Sequence, residues 1–299
     1  MAIKRALVLS GGGGRGAFQV GVWQYLQKIN WQPDLICGTS VGALNAVALG
    51  CGMTLAELTQ LWQSIESSQI YRLSIWQQLK ALFKRGYVPL LDNRPLERLL
   101  KQNLNVHKLR ESDTEIQISA VNVLTSEVHF FDQNEIDVEH VMASSAIPVV
   151  FPWQQIGEQL FWDGGVMVNT PILTPLEREA DEIIVVLLSP IGGHDQSIPA
   201  NRKDAIERLF EQGLIGSYQT LIKHFNYHND FSLSKTIRKL LGSNDFYVGN
   251  SRIITIAPDR LLGLNSILQF SSKQSQKLID QGFAAASEKL GKTKKAQQS

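Results

Sequence analysis

The chain opens on short apolar runs separated by glycine-rich turns and by stretches of helical spacing. Residues 5–10, RALVLS, form an apolar run closed by glycines, which reads as a buried strand. GAFQVGVWQYLQKI follows, with Phe18, Val22, Tyr25, Leu26 and Ile29 at the spacing of one helical face. DLICGTS is a second apolar run, and VGALNAVALG after it suits a helix. The first 50 residues thus alternate strand, glycine turn, helix, strand, tight turn, helix. That alternation predicts a parallel sheet with helices on its faces.

Further along, TLAELTQLWQSIES predicts a helix whose Thr54 and Glu57 are spaced as a capping box. DNRPLERLLKQN, residues 92–103, predicts another. TEIQISAVNVLTSEVHFFDQ reads as a hairpin turning near Thr125 and Ser126, and VEHVMASSAIP as a helix stopped by Pro148. QQIGEQLFWDGG reads as a second hairpin, ending in a glycine turn. DEIIVVLLSP and RIITIAP are buried strands, and two long amphipathic helices occupy 201–226 and 266–290. No repeat and no linker rich in Pro, Gly or Ser divides the chain. The expectation is one α/β domain over 1–290, a central, mostly parallel sheet sandwiched by helices, with a disordered tail over 291–299.

Composition narrows the partners. At 299 residues, 43% hydrophobic and 19% charged, the chain can bury a sizeable core. A net charge of +1 gives no global attraction to nucleic acid, so any pull toward a membrane is local. Cys37 and Cys51 are too few for a disulfide framework and read as reduced, buried thiols of a cytosolic protein. The N-terminus lacks the apolar segment of a secretory signal. The least polar long stretch, 35–53, carries Thr39, Ser40, Asn45 and several glycines, and is not read as a membrane span. The expected location is the cytoplasm, with peripheral contact at a membrane.

Three motifs carry chemistry. LVLSGGGGRGAFQVGV, residues 7–22, places Gly11, Gly13 and Gly16 as G-x-G-x-x-G between a strand and a helix. Free amides at a helix start favour negative charge, whether a phosphate or an oxyanion. Asp34, 18 residues past Gly16, keeps a dinucleotide site open, whereas no Gly-Lys-Ser/Thr follows to make a Walker loop. The second motif, Gly38-Thr39-Ser40-Val41-Gly42, is a G-x-S-x-G between an apolar run and a helix, the context a nucleophile elbow requires. The third, FWDGGVMVNTP, puts Asp163 before Gly164 and Gly165, where the backbone can approach closely. A serine hydroxyl needs a base. Asp163 could take its proton directly. An ordinary Asp-Gly turn is the plainer reading, and His194, His224 and His228 keep a Ser, Asp, His order open.

Together, Gly11-Gly12-Gly13-Gly14-Arg15-Gly16, Gly38 to Gly42 and Asp163-Gly164-Gly165 resemble the patatin-like phospholipase family, with ASSAIPVVFPW at 143–153 and LIDQGFAAA at 278–286 similar to further blocks of it. The resemblance implies a patatin-like α/β fold and a lipid acyl hydrolase of phospholipase A or lysophospholipase type. It implies Ser40 as nucleophile and Asp163 as proton acceptor, with no histidine. It also implies an oxyanion hole from the glycine loop, Gly11 to Gly14, chiefly the amides of Gly12 and Gly13. Arg15 is either an anchor for that loop or a contact to a phosphate headgroup. Gly16, Gly38, Gly42, Gly164 and Gly165 support the turns. Such a dyad calls for no cofactor and no metal; the acids and histidine of DQNEIDVEH, 132–140, have no metal-site spacing. The partner implied is a lipid or phospholipid ester rather than nucleic acid.

Lipid substrates sit in bilayers. The segment 67–91 is the candidate lid or interfacial element. Within it Trp76, Leu79 and Phe83 share a helical side, and Arg72, Lys80, Lys84 and Arg85 add positive charge. Trp31, Trp153 and Trp162 are candidate linings for an acyl pocket. The competing classes are a histidine-assisted esterase or thioesterase, a nucleotide-binding module and a catalytically silent lipid-binding protein.

Overall fold

The apolar runs become strands buried on both faces. A computed structural model describes residues 4–73, 88–191, 198–229 and 246–297. Within them, β1 (Arg5–Leu9), α1 (Ala17–Lys28), β2 (Leu35–Thr39) and α2 (Val41–Gly50) follow the predicted alternation. Then come α3 (Leu55–Ser64), α4 (Ser67–Ile70), β3 (Arg72–Leu73), β4 (Leu91–Asp92), α5 (Arg94–Asn103), α6 (Val106–Leu109), β5 (Glu115–Asn122) and β6 (Val128–Asp132). The chain continues through α7 (Val138–Ser144), β7 (Gln154–Ile156), β8 (Gln159–Asp163), α8 (Leu173–Glu177), β9 (Glu182–Val186) and α9 (Arg202–Asn229). It ends with β10 (Phe246–Val248), β11 (Ser251–Ile256), α10 (Asn265–Leu268) and α11 (Ser272–Gln297).

Five strands run parallel in the order β11-β9-β1-β2-β5. β10, β6, β8 and β7 extend this sheet antiparallel. Side chains alternate between two cores, as a period of two demands. Leu7, Leu9, Ile36, Ile184 and Val186 face one cluster with α1, α2 and α11. Ala6, Val8, Leu35, Cys37, Ile183 and Val185 face the other, with Tyr218 of α9. From β1 the sheet grows to β2 on one side and to β9 on the other. The crevice at the carboxyl end of β1 is therefore a topological switch point, the place where such sheets bind ligands.

The helix expected over 266–290 is two helices. Gln269 is extended, and Phe270 stacks on Trp62 and exchanges hydrogen bonds with Ser67. That break outweighs helical spacing because it packs a half-buried aromatic ring against the core and lays the Gln269 carbonyl against Gly14. At the other end α11 runs on to Gln297, so the tail is helical rather than disordered to that point; GKTKKAQ holds good helix formers that extend a helix already nucleated. Of the 67–91 segment, α4 and a two-stranded ribbon, β3 with β4, are described. Trp76, Leu79, Lys80, Phe83, Lys84 and Arg85 lie outside the described residues.

Candidate active site

Everything in the first two motifs follows from strands that end side by side. Leu9 of β1 pairs with Gly38 of β2, so the glycine loop and Ser40 leave the sheet next to one another. A Cβ placed on Gly11 would lie 3.0 Å from that of Ser40. Gly42 lets α2 start directly over β1, since any side chain there would meet the Leu9 carbonyl at 2.1 Å. Ser40 itself has φ 57° and ψ −124°, the strained turn that lifts its side chain off the strand end. Its own amide donates to Ser144 Oγ at 2.9 Å.

Asp163 arrives from the opposite direction. β2 runs parallel to β5 and stops with Thr39 opposite Ser119. β8 runs antiparallel along the same edge of β5 and stops with Asp163 opposite Ala120, one register further on. The two strands therefore meet head to head. The Ser40 hydroxyl faces the Asp163 carboxylate across that junction and favours its charged form. Asp163 Oδ1 also accepts the Gly165 amide at 2.7 Å. Burial of the carboxylate, which is 4% exposed, pushes its pKa up to about 7; the Ser40 hydroxyl and the Gly165 amide pull the other way and do not offset it. No histidine among the described residues is hydrogen-bonded to it. His224 lies exposed on α9, and His194 and the side chain of His228 lie outside the described residues.

The glycine loop is a 3-10 turn over Gly13–Gly16, with Gly13 at φ 58°. Its first hydrogen bond runs from the Arg15 amide to the Gly12 carbonyl, which leaves the amides of Gly12, Gly13 and Gly14 ahead of it. Gly11 differs from the expectation. Its amide already donates to the Asn169 carbonyl at 3.1 Å, so it shapes the loop rather than offering a donor. Arg15 is fully buried and holds five acceptors, which makes it the loop's anchor and not a headgroup contact.

A buried polar network supports the loop from below. Gln19 Nε2 donates to the Ser10 carbonyl at 2.7 Å, and Asn45 Nδ2 donates to Gln19 Oε1 and the Gly16 carbonyl. Trp62 Nε1 completes it by donating to Asn45 Oδ1. Asn169 and Ser144 form no motif of their own in the sequence, and Asn45 stands there only as a polar residue within 35–53. Their signal is a lone polar residue in a small or apolar stretch, which requires a partner once buried.

Two expectations fail at the far end of the sheet. Asp34 accepts the amides of Lys4 and Arg5 at 2.9 Å, where β1 begins, so it is a strand clamp remote from the glycine loop and holds no ribose. Trp31 sits at that same end, with Nε1 donating to Glu182, and cannot line a pocket at Ser40. In DQNEIDVEH, Asp137 and His140 form the capping box of α7. Thr39, Ser40 and Asn45 lie on a strand, a turn and a helix, and no helix among the described residues is long and apolar enough to cross a membrane.

The chain is similar to known proteins. Residues 7–176, more than half of the chain, match the profile of the family described as Patatin-like phospholipase. The cGAMP-activated phospholipase of Pseudomonas aeruginosa is 25% identical over 315 residues, covering 95% of this chain and 88% of that one. The cGAMP-activated phospholipase of Vibrio cholerae is 26% identical over 196 residues, and the match spans 56% of this chain and about half, 55%, of that protein. Among solved structures, VipD from Legionella pneumophila superposes with a TM-score of 0.50 at 15% identity, over 98% of this chain and 67% of that one, a likeness of fold. All three motifs fall inside the matched region, and the chain belongs to the patatin-like phospholipase family.

Proposed function

We propose that this chain is a serine lipid acyl hydrolase, of phospholipase A or lysophospholipase type, working through Ser40 and Asp163. The observation that carries the reading is the head-to-head meeting of β2 and β8, which brings Ser40 to Asp163 with the glycine loop packed against the serine. As Ser40 Oγ attacks the ester carbonyl, its proton passes to the Asp163 carboxylate. The carbonyl oxygen takes the negative charge and is held by the amides of Gly12, Gly13 and Gly14. One such donor is worth about 3 kcal/mol of barrier. Asp163 then returns the proton to the departing alcohol, leaving an acyl-Ser40. A water gives its proton to Asp163 and attacks the acyl carbon, and that proton restores Ser40 as the free fatty acid leaves. A carboxyl whose pKa is raised to about 7 suits this work, since it is a stronger base than an ordinary aspartate and about half ionised at neutral pH. The substrate meets the protein at a membrane surface, which needs peripheral contact only.

The test is hydrolysis of a short p-nitrophenyl ester, and fatty-acid release from phosphatidylcholine and phosphatidylglycerol vesicles, with and without the cGAMP named in the relatives. Wild type should turn over and be labelled by a fluorophosphonate. Ser40→Ala and Asp163→Asn should each lose about 10³-fold or more in kcat. A variant with His194, His224 and His228 all changed to Ala should keep its activity. Loss in that variant transfers the role of base to a histidine, and an unlabelled, inert wild type removes the hydrolase reading.

A further inference from the structure

The family match ends at residue 176, yet the loop it contains is fastened by residues beyond it. Arg15 has five N–H donors, and each has an acceptor. Nε donates to Ser266 Oγ at 2.7 Å, Nη1 to the Leu188 carbonyl and Ser189 Oγ, and Nη2 to the Gly263 carbonyl at 3.0 Å and to Glu211 Oε1 at 2.5 Å. Glu211 is the single anion in that set. It lies on α9, 196 residues away in sequence, and is itself 3% exposed. Its second oxygen, Oε2, is buried with no hydrogen-bond partner.

α9 is otherwise a surface helix. Among its described side chains only Glu211 and Tyr218 are buried. Three polar attachments lie on one face. Glu211 holds Arg15, the Leu214 carbonyl accepts Asn169 Nδ2 at 2.9 Å, and the Tyr218 hydroxyl bonds Thr255 Oγ1 at 2.6 Å. The first two end on the residues that frame the glycine loop, for Asn169 also accepts the Gly11 amide and donates to the Gly11 carbonyl. A side chain so placed that it neutralises the loop's arginine, from an element with little other buried surface, does more than fill space.

We infer that Glu211 is a positioning residue for catalysis: from α9 it fixes the Arg15 guanidinium, and through it the oxyanion-binding amides of Gly12 to Gly14. The inference rests on the Ser40–Asp163 reading. Misplacing those donors by a fraction of an ångström weakens stabilisation of the transition state while leaving ground-state ester binding nearly alone.

The experiment measures kcat and KM per fluorophosphonate-titrated Ser40 for p-nitrophenyl ester hydrolysis, together with thermal unfolding. It uses wild type, Glu211→Gln, Glu211→Asp, Arg15→Lys, the Glu211→Gln/Arg15→Lys double variant and Ser40→Ala. Glu211→Gln should lower kcat by about 10- to 100-fold with KM within about twofold. Glu211→Asp should recover part of the loss. The double variant should be no worse than Arg15→Lys alone, because both changes break one link. The inference is overturned if Glu211→Gln keeps wild-type kcat per titrated serine. It is equally overturned if its only effect is a smaller titratable fraction and a lower Tm, or if the two losses multiply. Ser40→Ala separates the questions: its activity sinks the dyad whatever Glu211 does.

Discussion

To serve as the proposed base, Asp163 has to be an ion, and its burial opposes that ion. With a folded pKa of about 7, the charged fraction grows through neutrality, so kcat/KM should rise with pH and reach half its plateau near pH 7. An alkaline-flat profile with its inflection near pH 4 would contradict this. The same burial sets a cost in stability. An unfolded aspartate ionises near pH 4, so between about pH 4 and pH 7 the folded chain keeps a proton that the unfolded chain has released. Stability therefore falls as pH rises through that window. Asp163→Asn cannot ionise and should gain on wild type by on the order of 2–4 kcal/mol between pH 5 and pH 8. Urea unfolding of both proteins at the two pH values measures it, and equal gaps would show that Asp163 titrates normally. Ser40 adds strain of about 1–3 kcal/mol at the same spot, which the surrounding sheet has to sustain.

At the scale of elements, the strand ends set the chemistry, and close backbone contacts set the strand ends. Gly42 is the clearest case. Its α-carbon faces the Leu9 carbonyl, part of the sheet itself, which cannot swing aside as a side chain would. Gly42→Ala should lower Tm by about 5–10 °C. Gly213, in α9, has open space where a methyl would stand, with nothing within 4 Å, and Gly213→Ala should raise Tm slightly by helix propensity. Comparable shifts in calorimetry for the two would refute the packing account. These elements also show what could be read beforehand. β1 to α2 were legible because short apolar runs closed by glycines alternate there with helical spacing, and Ser40 and Asp163 because glycines mark sharp turns. Gly21 and Gly282 were not: each faces a backbone carbonyl of the partner helix, Ile279 and Phe18, so α1 and α11 cross in near backbone contact. Only the pairing of the helices gives those glycines meaning. The head-to-head meeting of β2 and β8 was equally hidden, since it depends on register along β5. The break at Gln269 to Ser271 went unseen because the residues that reward it, Ser67 and Trp62, are about 200 positions away.

For the whole molecule, the proposed reacting groups belong to the first 176 residues while the residues that hold Arg15 of the glycine loop belong to the remainder. The closing helix is the last element in the described chain: α11 buries Leu278, Ile279, Ala286 and Leu290 in the same core as α1. Glu211 had no local signature, being one acid among several on an amphipathic stretch, and only the folded chain pairs it with Arg15. A ribosome makes the nucleophile first and the brace last. Synthesis at about 5–20 residues per second leaves an interval of several seconds in which Ser40 and Asp163 have emerged and Glu211, Ser266 and α11 have not. Ribosome-bound chains stalled with residues 1–187 exposed should resist fluorophosphonate, and chains stalled after residue 297 has cleared the exit tunnel should be labelled. Labelling of the shorter chains would show that the loop needs no brace. If those outcomes hold, the order of translation acts as a timer: the hydrolase would gain a braced loop only when its own C-terminal third arrives.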